Sequence, residues 1–130
     1  MNKVVEELKK TKVFYIATIE KDQPRVRPFG SVMEFEGEAY LCSGNFKDFY
    51  KQIKENPNVE LCGMCDEVSW IRVTATLEED DRIEVQKAML DDPTGPKGIY
   101  QAGDGRFVTF KLTNVHAVKS SFVKPTEIIQ

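Results

Sequence analysis

Apolar and polar positions change period several times along the chain, and each change marks an element. Val4, Val5 and Leu8 fall at helical spacing behind Asn2, a suitable N-cap, and predict a short N-terminal helix. Residues 13–20, VFYIATIE, form a continuous apolar run rich in β-branched and aromatic side chains, which predicts a buried strand closed by the turn residues Lys21, Asp22, Gln23 and Pro24. A second strand is expected over residues 25–36. Pro28 and Gly30 interrupt it, as suits a bulge or an edge where a ligand can approach the backbone. Glu36-Gly37 then makes a tight turn into Ala39-Tyr40-Leu41-Cys42. Beyond it Phe46, Phe49, Tyr50 and Ile53 recur at i, i+3, i+4 and i+7, the stripe of an amphipathic helix that stops at Asn56-Pro57 and carries Lys47, Lys51 and Lys54 on its other face.

Residues 59–64 and 69–77 read as a hairpin around Asp66-Glu67. In its second strand Trp70, Arg72, Thr74 and Thr76 alternate with Ile71, Val73, Ala75 and Leu77. Asp81 with Glu84 starts another helix, which buries Val85, Ala88 and Met89 and ends at Asp92-Pro93. A Gly- and Pro-rich connection, PTGPKGIYQAGDG, leads to a last long strand from Phe107 to about Val118. Six strands with too little helix for parallel crossovers predict a mainly antiparallel barrel whose openings are covered by short helices.

At 130 residues and 14.8 kDa the chain is one domain, residues 1–130. A net charge of −3 and a pI near 5.3 exclude the broad positive field that nucleic-acid or membrane-surface binding needs. The N-terminus, MNKVVEELKKTK, lacks the apolar core of a leader, and no apolar run approaches a membrane span, so a cytoplasmic protein is expected. Three cysteines, Cys42, Cys62 and Cys65, suit a reducing compartment.

The basic residues of this acidic chain that attract most interest lie between Pro24 and Pro57. Arg25 and Arg27 alternate along an extended segment, which puts both guanidinium groups on one face. Ser43, Gly44 and Asn45 then turn the chain into the basic helix. Asn45 as N-cap and Asp48 three residues later form a capping-box pattern, and the small Ser43-Gly44 pair leaves the first amide groups open, as in helix N-termini that bind phosphate. Lys47 in that first turn opposes the helix dipole unless solvent or a bound anion compensates it. The plainer alternative is two solvated arginines on an edge strand and a solvated lysine face.

Other candidates carry less. Trp70 reads as a core or subunit-contact residue, with a place at a flavin edge as the sharper alternative. Arg72, on the same face, calls for an acidic partner, a carbonyl group or a ligand. Cys62 and Cys65 lie in a strand, where positions three apart face opposite ways, unlike a redox pair opening a helix. No zinc set is expected, because His116 is the only histidine. Paired carboxylates, G-x-S-x-G and G-x-G-x-x-G are absent, so no catalytic side chain is assigned; if the chain is an enzyme, a cofactor carries the chemistry.

In order, the strand with Pro-x-x-Arg character, the small-residue turn, the basic helix ending in Asn-Pro and the strand SWIRVTATLEEDD resemble the FMN-binding split-barrel proteins related to pyridoxamine 5′-phosphate oxidase, over nearly the whole chain. That resemblance implies a six-stranded antiparallel Greek-key split barrel and a homodimer with FMN in a groove at its interface. By position it places Arg27 on the flavin or its phosphate arm, Ser43 and Lys47 on the phosphate, and the Pro28-Phe29-Gly30 backbone along the isoalloxazine. Trp70 and Arg72 would stand near the partner subunit. The vitamin-pathway oxidases are longer and end in a Trp and an Arg-x-His element that grips substrate phosphate. Here no tryptophan follows Trp70 and no arginine follows Arg106, while Val32 and Asp48 stand where those enzymes have basic residues. The chain is therefore read as a small relative.

Two readings follow from the resemblance. One is a dimeric FMN oxidoreductase passing electrons from a reduced donor to an acceptor. The other is a non-catalytic flavin, deazaflavin or haem binder on the same barrel, with His116 the one histidine available as an axial ligand.

Overall fold

Hairpins account for most of the path of the chain, and a computed structural model describes all of it, residues 1–130. In chain order the elements are α1 (Lys3–Thr11), β1 (Phe14–Glu20), β2 (Gln23–Phe29), β3 (Met33–Phe35), β4 (Glu38–Gly44), α2 (Asp48–Glu55), β5 (Asn58–Met64), β6 (Ser69–Glu79), α3 (Ile83–Asp91), β7 (Phe107–Ser121) and β8 (Glu127–Ile128). Asn2 caps α1, accepting from the Val5 amide. Glu36 and Gly37 both have positive φ, 52° and 80°, the primed turn that matches strand twist and joins β3 to β4. The β5–β6 hairpin turns on Asp66, whose Oδ1 accepts from the amides of Val68 and Ser69 at 2.9 and 2.8 Å.

All pairings are antiparallel, in the order β2-β1-β5-β6-β7-β4-β3, with β8 added beside β7. β2 and β3 thus occupy opposite edges of the sheet, yet only residues 30–32 separate them. Laid flat, the edges would stand roughly 29 Å apart, at about 4.8 Å per strand. Four Cα steps reach at most about 15 Å. The sheet must therefore curl until its edges meet, and because β2 and β3 share no ladder, the barrel stays split along that seam.

Eight strands replace the expected six. Gly30, Ser31 and Val32 break the expected 25–36 strand into β2 and β3, and the C-terminal tail returns as β8, paired through Val118 and Lys119. The first strand is buried on one face only: Phe14, Ile16 and Thr18 point inward, whereas Tyr15 is half exposed. In β6 the alternation is as expected, with Ile71, Val73, Ala75 and Leu77 buried. One large apolar cluster fills the barrel under α1 and α2; a smaller one, built on Met33, Tyr40, Val85, Met89 and Phe107, fixes α3 against β3, β4 and β7. α3 starts at Ile83 behind Arg82, without the side-chain cap expected from Asp81. No helix is long and apolar enough to cross a membrane.

Candidate functional site

A cleft of 850 Å³ opens at the split seam, within the usual range of ligand sites, about 300–1,000 Å³. One wall is Arg25–Ser31; Cys42 and Ser43 at the end of β4 and Lys47–Phe49 with Gln52 of α2 form another. Pro96, Ile99 and Tyr100 close it from the β7-leading loop. Thr94 laces that loop to the seam: its carbonyl accepts from Ser31 Oγ at 2.7 Å, and its hydroxyl accepts from the Val32 amide at 3.0 Å. At Gly44 the rim of the cleft is close-packed: a Cβ there would lie 2.5 Å from the Phe46 ring and 2.6 Å from the Tyr100 hydroxyl, so both side chains would have to move aside.

Arg27 is the half-buried cation of this site. Nη1 donates to Thr18 Oγ1 at 2.8 Å and to the Ile16 carbonyl at 3.2 Å, and Nη2 donates to Gln52 Oε1 at 2.6 Å. The guanidinium lies 5.2 Å from the centre of the Phe49 ring. No carboxylate is within ion-pairing distance of it. Burial lowers its pKa, the nearby Arg25 charge adds to that, and Asp48 opposes it; a guanidinium stays protonated regardless. Neutral acceptors hold the side chain, so its charge is left for something else. Arg25 shares the cleft but is committed to Glu20, 3.0 Å away.

The expected capping box at α2 does not form. Asn45 continues the β4 ladder, its amide donating to the Arg106 carbonyl at 2.8 Å, and its Nδ2 donates to the Gly105 carbonyl at 2.8 Å. The helix starts two residues later with Lys47 as N-cap, and no side chain caps it. The physical reason is strand pairing: Ser43 and Gly44 pair with Val108 and Phe107, which carries the extended chain past Asn45 before it can turn. No side chain occupies the first-turn amides. Lys47 lines the cleft and makes no ion pair.

Of the residues singled out in the sequence, Arg25, Arg27, Pro28, Phe29, Gly30, Ser43 and Lys47 come together around the cleft. Asn45, Trp70 and Arg72 do not line it. Trp70 packs against Phe122 with ring centres 4.9 Å apart and planes tilted by 51°, and Arg72 approaches Glu60 at 3.5 Å, both on the outer face of β6. His116 also lies outside the cleft, opposite Thr74. All three cysteines are free; burial pushes the Cys42 thiol at the cleft up to about 11. Thr18 and Gln52 escaped the sequence reading. Their signal is a polar residue in the inward phase of an apolar stripe: Thr18 follows Phe14 and Ile16, and Gln52 sits between Phe49 and Ile53, at 1 % and 5 % exposure.

The model of the family described as pyridoxamine 5′-phosphate oxidase matches residues 1–118. The chain belongs to the pyridoxamine 5′-phosphate oxidase family. Its fold is that of a NimC/NimA family protein from Clostridium acetobutylicum, 42% identical, with a TM-score of 0.93 over 98% of this chain and 90% of that one. Two more distant proteins share the fold. A pyridoxamine 5′-phosphate oxidase-related, FMN binding protein from Nostoc punctiforme is 13% identical, with a TM-score of 0.68 over 97% of this chain and 84% of its own. A heme binding protein from Mycobacterium smegmatis is 13% identical, with a TM-score of 0.71 over 95% of this chain and 57% of its own. No curated protein matches the sequence.

Proposed function

We propose that this chain binds FMN in the seam cleft as a homodimer and acts as a small oxidoreductase. The observation that carries the reading is Arg27: a half-buried guanidinium held only by neutral acceptors, beside an uncapped helix start and an unpaired Lys47. A phosphate monoester supplies the missing negative charge and suits a planar guanidinium fork. The rest of the cleft suits a flat ring, with Phe29, Gly30, Ile99 and Tyr100 in its lining. The Nostoc relative's description as an FMN binding protein supports the same choice.

Flavin, when bound, supplies hydride and electron chemistry that no side chain here offers. This chain's residues would bind and orient it. Arg27 and the α2 amides would hold the anionic end, Lys47 would add a point charge, and the apolar loop would shield the ring from water. Haem fits less well, because no histidine faces the cleft. Trp70 and Arg72 reach a cofactor only if a second copy brings its outer sheet face to the cleft. Exposed Met64, Phe122 and Val123 near Trp70 give that face the apolar surface a subunit contact uses.

Purification without added cofactor followed by absorbance and mass identification tests the reading. A yellow protein releasing FMN supports it, and a Soret band or a bound deazaflavin overturns it. Stopped-flow mixing with nicotinamide donors then separates enzyme from binder: reduction of the bound flavin at a useful rate supports the oxidoreductase, and none by any donor contradicts it.

A further inference from the structure

The orientation of Gln52 is fixed by its neighbours. Its Oε1 accepts from Arg27 Nη2 at 2.6 Å and from Thr18 Oγ1 at 2.5 Å, and the guanidinium can only donate. The carboxamide therefore cannot turn its nitrogen toward Arg27. Nε2 makes no hydrogen bond within the chain, and in a residue only 5 % exposed it is this nitrogen that stays open to the cleft. An amide donor that opens on the cleft and has no partner within the chain is free to meet an acceptor on a ligand.

Thr18 completes a closed ring. Its hydroxyl accepts from Arg27 Nη1 and donates to Gln52 Oε1, so three side chains from β1, β2 and α2 lock one another. All the acceptors in the ring are uncharged. Had residue 52 been a glutamate, it would neutralise Arg27 and repel an anion; as a glutamine it holds the cation in place and adds a donor beside it.

We propose that Gln52 is a phosphate-recognition residue: Arg27 and the Gln52 Nε2–H group together seat the phosphate monoester of the cofactor, with Thr18 as the positioning residue that fixes both. The inference rests on the FMN reading and goes further, because it assigns the floor of the cleft to the phosphate and not to the isoalloxazine carbonyl groups. The floor then discriminates FMN from riboflavin, which has the same ring system and no charge to place there.

The test is titration of apo-protein with FMN and with riboflavin, followed by flavin fluorescence, for the full-length wild type, Gln52→Glu, Gln52→Leu and Thr18→Val. Gln52→Glu is expected to weaken FMN binding about tenfold to hundredfold, the loss of a charge-assisted contact plus a new repulsion. Riboflavin affinity should stay as in the wild type. Gln52→Leu and Thr18→Val should shift FMN in the same direction by less, and they keep the question open to measurement if Gln52→Glu does not fold. Parallel losses for FMN and riboflavin, or none, overturn the assignment of Gln52 while leaving FMN binding intact. A wild type that binds neither flavin overturns the FMN reading itself, and the inference with it.

Discussion

Arg27 Nη2 and Gln52 Oε1 stand 2.6 Å apart across the floor of the cleft, a cation held by an amide oxygen where a carboxylate would be the commoner partner. Neutral support leaves the guanidinium charge uncompensated in a partly buried place, an arrangement that costs stability in the empty protein and is relieved by an anion.

Replacing Arg27 should therefore act on affinity. Arg27→Ala is expected to weaken FMN about tenfold to hundredfold, the range of one charge-assisted hydrogen bond lost in a shielded site. Lys54 lies off the cleft, 2.7 Å from Glu79, and Lys54→Ala should leave the dissociation constant unchanged. Calorimetric titration of both variants checks this; equal losses remove Arg27 from the site.

A second expectation concerns acid stability. Hydrogen bonds from Arg82, with the Tyr40 hydroxyl 2.8 Å away, hold the Asp80 carboxyl down to about 2. Its folded-state pKa lies below the ordinary 3.8, so its contribution is complete above about pH 4 and disappears as pH falls toward 2. Urea midpoints of the wild type should exceed those of Asp80→Asn at pH 6, and the gap should close near pH 2. A gap that persists there contradicts the assignment. Burial and the same partner push Tyr40 up to about 12, which gives the opposite sign at the alkaline end: its contribution is lost as pH rises from about 10 to 12.

Gly95 anchors the loop that walls the cleft. A Cβ there would lie 2.0 Å from the Met89 carbonyl oxygen, a backbone atom at the end of α3 that cannot step aside. Gly95→Ala should cost about 1–3 kcal/mol by overpacking. Gly98 has open space around it and a φ of +74°, so Gly98→Ala should cost only about 1 kcal/mol of backbone strain. Thermal unfolding of the two variants orders them; a Gly95→Ala protein as stable as wild type refutes the packing argument.

For the assembly, sedimentation velocity of the wild type is expected to show a dimer. Trp70→Glu, which puts a charge beside Phe122 on the outer sheet face, should shift it to monomer. A wild type that is monomeric at every concentration, or a Trp70→Glu variant that stays dimeric, contradicts a dimer through this face.

Much of the barrel was legible because side-chain alternation is local. Ile71, Val73, Ala75 and Leu77 announce which way β6 faces, and Glu36-Gly37 announces its hairpin. The broken second strand was half visible: Pro28 and Gly30 marked a disturbance, but only the opposite-edge positions of β2 and β3 turn it into a seam. Asn45 had the chemistry of a cap, and the ladder to β7 overrode it, a long-range pairing that local spacing does not encode. Gln52 and Thr18 were hidden for a related reason. A single polar residue in an apolar stripe signals a buried hydrogen bond, but its partners come from other elements, here Arg27 on β2.

The most direct test is a crystal structure of the protein with FMN. The account places the phosphate within hydrogen-bonding distance of Arg27, beside Gln52 and the first turn of α2, with the ring system running toward Ile99 and Tyr100. A phosphate bound elsewhere, or a cleft closed by the protein's own carboxylates on Arg27, would contradict it.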